Sequence, residues 1–374
     1  MNPIGFRKDR ASEILNKRDI DLLIATTPVN VFYLTGLPTL HVWKNPILYV
    51  LENQYPFYGL VKRDGSETLL YWAVYQSLDK FSWVKDARGI ISPQQSLVIL
   101  TNVIKEFGLE KGKIAVEKNM YRYQSEYLKK ELPEATFIDA DESLLEMRII
   151  KTEEEIRRIT KSTEIAEKAI FNMAEETREG ISDNELLQIA RRTIIDEGAD
   201  GWDHLTLGIG QSDPEAPGIG TKMRFGDIAR FDIGAVWEGY VSDVSRHVVL
   251  NEVPEDAKEK YDIMIKVQEF CEENIRPGVS TTEIKKESKK FSKSLIKRGL
   301  GVITAHSIGL ETEELHFFSP MGSAKLDFQE NMVLDIEIWT EYKNANLLGI
   351  EDCYVIKKDG VKRITKLNKD IIIK

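Results

Sequence analysis

A chain of 374 residues with 42% hydrophobic and 30% charged side chains, a net charge of −10 and a pI near 5.3 has the make-up of a soluble two-domain globular protein. That acidity argues against nucleic acid or an anionic membrane as the main partner. Two cysteines, Cys271 and Cys353, cannot build a framework of several disulfides, the N-terminal MNPIGFRKDR lacks a signal-peptide core, and no apolar run is long enough to span a membrane, so a cytoplasmic location is expected.

In chain order, a helix over 8–17 leads into a strand over 21–25, and Thr27-Pro28 reads as the start of a loop. β-favouring apolar runs over 46–51, 67–71 and 113–117 predict further strands, with helices over 96–107 and 123–132 among them. This alternation predicts an α/β domain with a mixed or parallel sheet over residues 1–150. A long charged helix over 152–178 follows. Its Ile156, Ile159, Ile165, Ala169 and Met173 recur at helical spacing and acids fill its first turn, which marks it as the boundary element. Beyond it, helices over 182–196, 255–274 and 282–298 mix with two predicted hairpins without strict alternation. Residues 151–374 are therefore expected to form an α+β domain.

Five residues of this second domain read as ligands of a two-metal site: Asp232 in FDIGA, Asp243 in GYVSDVSR, His306 in AHSIGLE, Glu337 in VLDIEIW and Glu351 in LGIEDCY. A turn over 236–239 would bring Asp232 and Asp243 face to face across a hairpin, and a turn over 343–346 would do the same for Glu337 and Glu351. Such acidic pairs suit two cations about 3.5–4 Å apart. Asp232, Glu337 and Glu351 adjoin apolar strand residues, and a buried carboxylate must be paired, protonated or metal-bound. The competing reading is an ion-pair network with Arg224, Arg230 or Arg246 as counter-charges. Oxygen ligands with one imidazole point to Mn(II), Fe(II), Co(II) or Zn(II).

These motifs resemble the pita-bread metallopeptidase family, which includes prolidase, aminopeptidase P, methionine aminopeptidase and the metal-free creatinase. The likeness extends over nearly the whole chain. The segments 21–24, 28–30 and 33–36 resemble the family's N-terminal domain, and Arg148-Ile-Ile-Lys151 with Glu154 and Glu155 resembles its interdomain helix start. Gly226-Asp227 through Asp232, Gly239-Tyr240, Ser242-Asp243 and Arg246 match the two-aspartate motif, 306–311 the histidine motif, and Glu337 and Glu351-Asp352 the glutamate motifs. The resemblance implies a creatinase-like α/β N-terminal domain followed by an α+β pita-bread catalytic domain. It implies two divalent ions (Mn, Co, Fe or Zn) activating a water, with Asp243 and Glu351 shared, Asp232 on one ion, and His306 and Glu337 on the other. Glu337 is also the acid/base candidate. A homodimer is expected.

Departures from the pattern bear on substrate. Proline-specific members carry a histidine seven residues after the metal-binding one, where this chain has Glu313. A second substrate histidine is absent from 214–218, Gly349 stands where an arginine is common, and Ile338 and Trp339 replace small residues after Glu337. Glu313 reverses the charge expected beside a developing oxyanion and suits a cationic substrate group; a solvent-facing loop position is the alternative. His204 and His316 are candidates to replace the missing histidines, against a structural role; His247 is expected to face away. His41 and Trp43 are candidates to reach a partner's site. Cys353 shares the strand face of Glu351 and reads as a small core residue, with a thiolate ligand as the alternative, and Arg246 as a clamp on the hairpin or on a ligand carboxylate. The expected activity is that of an Xaa-Pro dipeptidase-like hydrolase, with candidate catalytic residues Glu337, His204 and Glu313. The alternatives are a hydrolase or lyase acting on a small polar, possibly cationic, metabolite and a non-catalytic binding protein.

Overall fold

The computed structural model describes residues 2–39, 56–74, 77–210, 213, 215–296, 301–320, 322–343 and 346–374. The expected strand over 46–51, and His41, Trp43, Pro214, Asn344 and Ala345, lie outside them. The chain divides into two units, Met1–Ile149 and Ile150–Lys374.

The first unit is built on a mixed six-stranded sheet. Strands β1 (Leu22–Ala25), β2 (Tyr58–Lys62), β3 (Glu67–Trp72), β4 (Asp86–Ile90), β5 (Lys113–Val116) and β6 (Thr136–Asp139) lie in the order β4-β3-β2-β1-β5-β6. Every residue of the central β1 is buried, as its unbroken apolar run requires. Helices α1 (Lys8–Lys17), α2 (Pro28–Thr35), α3 (Ser96–Glu106), α4 (Arg122–Glu131) and α5 (Asp141–Arg148) complete it. The loop expected at Thr27-Pro28 is instead the start of α2. Thr27 is its N-cap, its hydroxyl accepting from Asn30 N, and Pro28 takes the first turn, where its missing N–H costs nothing. Buried Glu117 caps the same end by accepting from Thr27 N at 2.8 Å and Asn30 Nδ2 at 2.6 Å.

In the second unit, capping boxes start α6 (Glu153–Glu176) at Thr152/Glu155 and α7 (Asp183–Asp196) at Ser182/Glu185. Ile165, Ala169 and Met173 of α6 and Leu186, Ala190 and Ile194 of α7 share a core with Leu207, Phe231, Ile233 and Val244 of the sheet. The main path of that sheet joins β7 (Gly201–Ile209), β8 (Ile228–Trp237), β10 (Val244–Val249), β11 (Val302–Ser307), β12 (Leu315–Phe318), β13 (Val333–Tyr342) and β14 (Asn346–Lys357) in the order β12-β11-β13-β14-β10-β8-β7. Short β9 (Tyr240–Val241), β15 (Gly360–Arg363) and β16 (Ile372–Ile373) add to β8, β14 and β10. Helices α8 (Glu255–Asn274) and α9 (Thr281–Leu295) follow β10. From α8, Gln268 Nε2 donates to Ile336 O at 3.0 Å, and Glu272 accepts from Tyr354 Oη at 2.6 Å. Phe231, Ile233 and Tyr354 thus face the helices, so the alternate residues Asp232, Glu337 and Glu351 point from the other face.

Candidate metal centre

Strand register assembles the acids. Thr206, Asp232, Ser245, Glu351, Glu337 and Thr304 form one cross-strand row over six strands. Glu337 and Glu351 are direct partners on β13 and β14. Asp232 and Asp243 are not; Asp232 pairs with Ser245, and the same register sets Asp243 opposite Gly234, diagonal to Asp232. The turn explains the difference. Trp237 pairs with Tyr240, and the two residues between them, Glu238 and Gly239, have φ of 48° and 86°. A two-residue turn with both central φ positive matches the twist of the flanking strands, and it lies one residue later than the turn read from sequence. The next row carries His316, His306, Asp335 and Cys353.

His204 reaches the site through a β-bulge. Trp202 pairs with Ala235 and Leu205 with Ile233, so Asp203 and His204 together oppose Gly234. A Cβ on Gly234 would stand 2.5 Å from the imidazole and 2.7 Å from Ser242 O, so the ring occupies space that only glycine leaves. His204 Nδ1 lies 3.1 Å from Asp203 Oδ2, and Nε2 lies 3.2 Å from Asp243 Oδ1 and 3.5 Å from Asp232 Oδ1. The second histidine is held in the same manner. His306 Nδ1 meets Thr312 O at 3.1 Å and Nε2 meets Glu351 Oε1 at 3.1 Å. The Thr312 hydroxyl donates to Asp203 Oδ2, which links the two imidazoles.

These groups line a cavity of about 670 Å³ whose wall carries seven carboxylates (Asp203, Glu215, Asp232, Asp243, Glu313, Glu337 and Glu351) and one arginine. That arginine, Arg230, is buried, with its guanidinium 2.6 Å from Glu215 Oε1, 2.8 Å from Asp232 Oδ2 and 3.3 Å from Glu337 Oε1. Burial opposes ionisation of Asp232, but Arg230 and then His204 hold its carboxyl below the usual carboxylate range. Burial pushes Glu337 up to about 8 against the pull of Arg230, and pushes Glu351 well above its ordinary value. Burial lowers His204, yet Asp243 and then Asp203 raise it well above the ordinary imidazole. One guanidinium cannot neutralise such a set, and protons or divalent cations must supply the rest. Asp232 Oδ1 and Asp243 Oδ1 are buried without a hydrogen bond. Among the described residues, two triads have ligand atoms close enough to hold an ion: His204, Asp232 and Asp243, and Asp243, His306 and Glu351. The donors fit divalent metal ions.

The surroundings sort the remaining candidates. Glu313 is half exposed on the cavity wall, 3.4 Å from His316 Nε2; His316 is not part of the wall. The side chain of Glu314, next to Glu313, is buried and pairs with Lys151 Nζ at 2.5 Å, while its Oε1 accepts from Leu310 N at 3.0 Å, fixing the loop after His306. His247 is structural: Nδ1 donates to Ala229 O at 3.2 Å, Nε2 accepts from Gly349 N at 2.7 Å, and burial lowers it to about 3. Arg246 clamps the opposite face, donating to Asp352 Oδ1 at 2.5 Å and Glu351 O at 2.9 Å. Arg224 meets Asp227 through its backbone N–H at 2.9 Å. Cys353 is buried beside Asp335, whose carboxyl burial pushes well above its ordinary value. Sequence reasoning missed Asp203, Glu215, Thr312 and Asp335 as site residues; only Asp335 had a signal, its alternation with Glu337.

Comparison with known proteins places these features in context. The profile of metallopeptidase family M24 matches residues 157–358, and that of the creatinase/prolidase N-terminal domain matches 7–150. An Xaa-Pro dipeptidase of Pyrococcus horikoshii is 26% identical over 385 residues, covering 100% of both chains. An uncharacterized peptidase of Methanocaldococcus jannaschii is 31% identical over 271 residues, covering 68% of this chain and 73% of that protein. The crystal structure of the prolidase from Pyrococcus horikoshii matches with a TM-score of 0.80 at 25% identity, over 98% of this chain and 99% of that one. An Xaa-Pro dipeptidase from Bacillus anthracis matches in fold with a TM-score of 0.84 at 21% identity, over 98% of each.

Proposed function

This chain belongs to metallopeptidase family M24 and is a metallohydrolase, and from that premise we propose that it cleaves small peptides or peptide-like amides of the Xaa-Pro dipeptide kind. The observation that carries the reading is the convergence of Asp232, Asp243, His306, Glu337 and Glu351 on one wall of the cavity. Asp232 would hold one ion, His306 and Glu337 the other, with Asp243 and Glu351 shared. Such ions, when bound, acidify a water and polarise an amide carbonyl. Glu337 is the proton carrier. It lies on the cavity wall with the other four donors, Arg230 steadies its Oε1 at 3.3 Å, and as a carboxylate it can take a proton from the attacking water and pass it to the leaving nitrogen. His204 orders the carboxylates of Asp232 and Asp243, and Glu313 offers the α-amino group of a short peptide an anionic partner. The reading includes manganese, cobalt, iron or zinc as the ion, a homodimer and a cytoplasmic location.

The test is metal content followed by turnover of Xaa-Pro dipeptides with added Mn(II), Co(II) or Zn(II). Stoichiometric metal and turnover lost in Asp243→Ala are expected. A chain that takes up no metal, or an Asp243→Ala variant with wild-type metal affinity, would sink the proposal. The acids Glu215 and Glu313 in the wall favour a second reading, a metal-dependent hydrolase or lyase acting on a small cationic metabolite. Bound metal without dipeptide turnover would favour it.

A further inference from the structure

We infer that His204 is itself a metal ligand, completing with Asp232 and Asp243 the site of one ion; the inference rests on the dimetal reading above. The chain makes a specific effort to deliver this ring. A bulge in β7 turns it toward the acids, and Gly234 leaves the room it fills, where a Cβ would stand 2.5 Å away. The ring's orientation follows from its neighbours. Asp203 Oδ2, 3.1 Å from Nδ1, accepts from the ring, so Nδ1 keeps its hydrogen and a cation that displaces the Nε2 proton meets the lone pair there. That lone pair faces Asp243 Oδ1 at 3.2 Å and Asp232 Oδ1 at 3.5 Å, two buried oxygens that receive no hydrogen bond. Without a metal a proton on Nε2 relieves the repulsion among these three donors, and a divalent cation that displaces it would find all three aimed at one point.

The spacing suits a metal. Bonds of about 2.1 Å place adjacent ligand atoms ~3.0 Å apart at right angles and ~3.4 Å apart in a tetrahedron. Within the site, His306 supplies a control, since its Nδ1 is tied to Thr312 O and its Nε2 faces Glu351 Oε1 at 3.1 Å. His204 repeats that arrangement with Asp203 in place of the carbonyl, and a carboxylate behind a ligating imidazole fixes its tautomer and raises its basicity. Each ion would then carry one imidazole. That donor set favours a borderline cation between Mn(II) and Zn(II) over Mg(II) or Ca(II).

The test uses the full-length chain and Co(II) or Zn(II) as probes. Zinc-edge X-ray absorption of the wild-type chain loaded with two ions should show two imidazoles per pair; a single imidazole overturns the inference without any variant. Calorimetric titration with Co(II) should show one of two sites weakened at least about 100-fold in His204→Ala, and about 10-fold in Asp203→Asn, with the visible cobalt spectrum altered in both. Both ions bound within threefold of wild type, or a site tightened because a competing imidazolium has been removed, overturns it. If the wild-type chain takes up no cobalt, this inference and the proposed function fail together. Two ions bound with an unaltered His204→Ala variant defeat this inference alone.

Discussion

Replacing Arg230 by methionine tests the electrostatic account of the cavity most directly. The guanidinium meets Glu215 at 2.6 Å, but that side chain is 58% exposed, and a screened contact of this kind contributes about 0–1 kcal/mol. Asp232 and Glu337 differ, with side-chain exposures of 10% and 16% at 2.8 and 3.3 Å. Removing one partner of a buried pair costs about 3–5 kcal/mol because it strands the other charge. Asp232, no longer held below the carboxylate range by Arg230, can take up a proton, which keeps the loss near the lower end. Metal-free Arg230→Met should therefore lose about 3 kcal/mol in urea denaturation at pH 7, or ~6–12 °C in the melting of the second unit. Arg230→Lys, which keeps charge without the fork, should lose about half of that. Saturating Mn(II) should cut the methionine variant's deficit by more than half, because the ion then neutralises Asp232. A metal-free loss below about 1 kcal/mol, or an equal loss with and without Mn(II), would refute the reasoning.

Three further expectations follow from the same geometry. His247 is held neutral, with its value lowered from the ordinary 6.5 to about 3, so its contribution is complete above pH 6.5 and falls as the unfolded chain gains a proton between those values. It should account for about 2 kcal/mol of stability lost between pH 8 and pH 5. In urea titrations His247→Gln, though weaker at pH 8, should show a smaller acid loss than wild type, and an equal loss contradicts this. In Gly309→Ala, a Cβ would stand 2.6 Å from Glu314 Oε1 and 2.9 Å from Lys151 Nζ. Disturbing that fully buried pair should cost about 2–3 kcal/mol in urea denaturation; unchanged stability argues that the loop yields freely. Glu313→Gln should raise KM about tenfold for dipeptides with a free α-amino group and leave their N-acetylated forms unaffected, and steady-state kinetics showing no such split removes Glu313 from amine recognition.

How far the site could be read in advance depended on how local each signal is. Acids within apolar strand patterns carry their own warning, so Asp232, Glu337 and Glu351 stood out, and helical periodicity located α6 through α9 to within a few residues. Thr27-Pro28 misled because an N-cap followed by proline is written in the same letters as a turn. The hairpin between Asp232 and Asp243 was recognised but closed one residue too early, which changed a facing pair into a diagonal one. Arg230 was one of three possible counter-charges, and nothing along the chain separated it from Arg224 and Arg246.

The amino-acid sequence by itself determined the two-domain order, the run of strands and helices, and the five candidate donors of the proposed metal centre, because periodicity, caps and side-chain chemistry act over a few residues. Tertiary structure alone decided which donors converge. The bulge that delivers His204 is a relation between β7 and β8, and Glu314 meets Lys151 across 163 residues of chain. Strand register and long-range ion pairing depend on how distant segments pack, and no single segment carries that information.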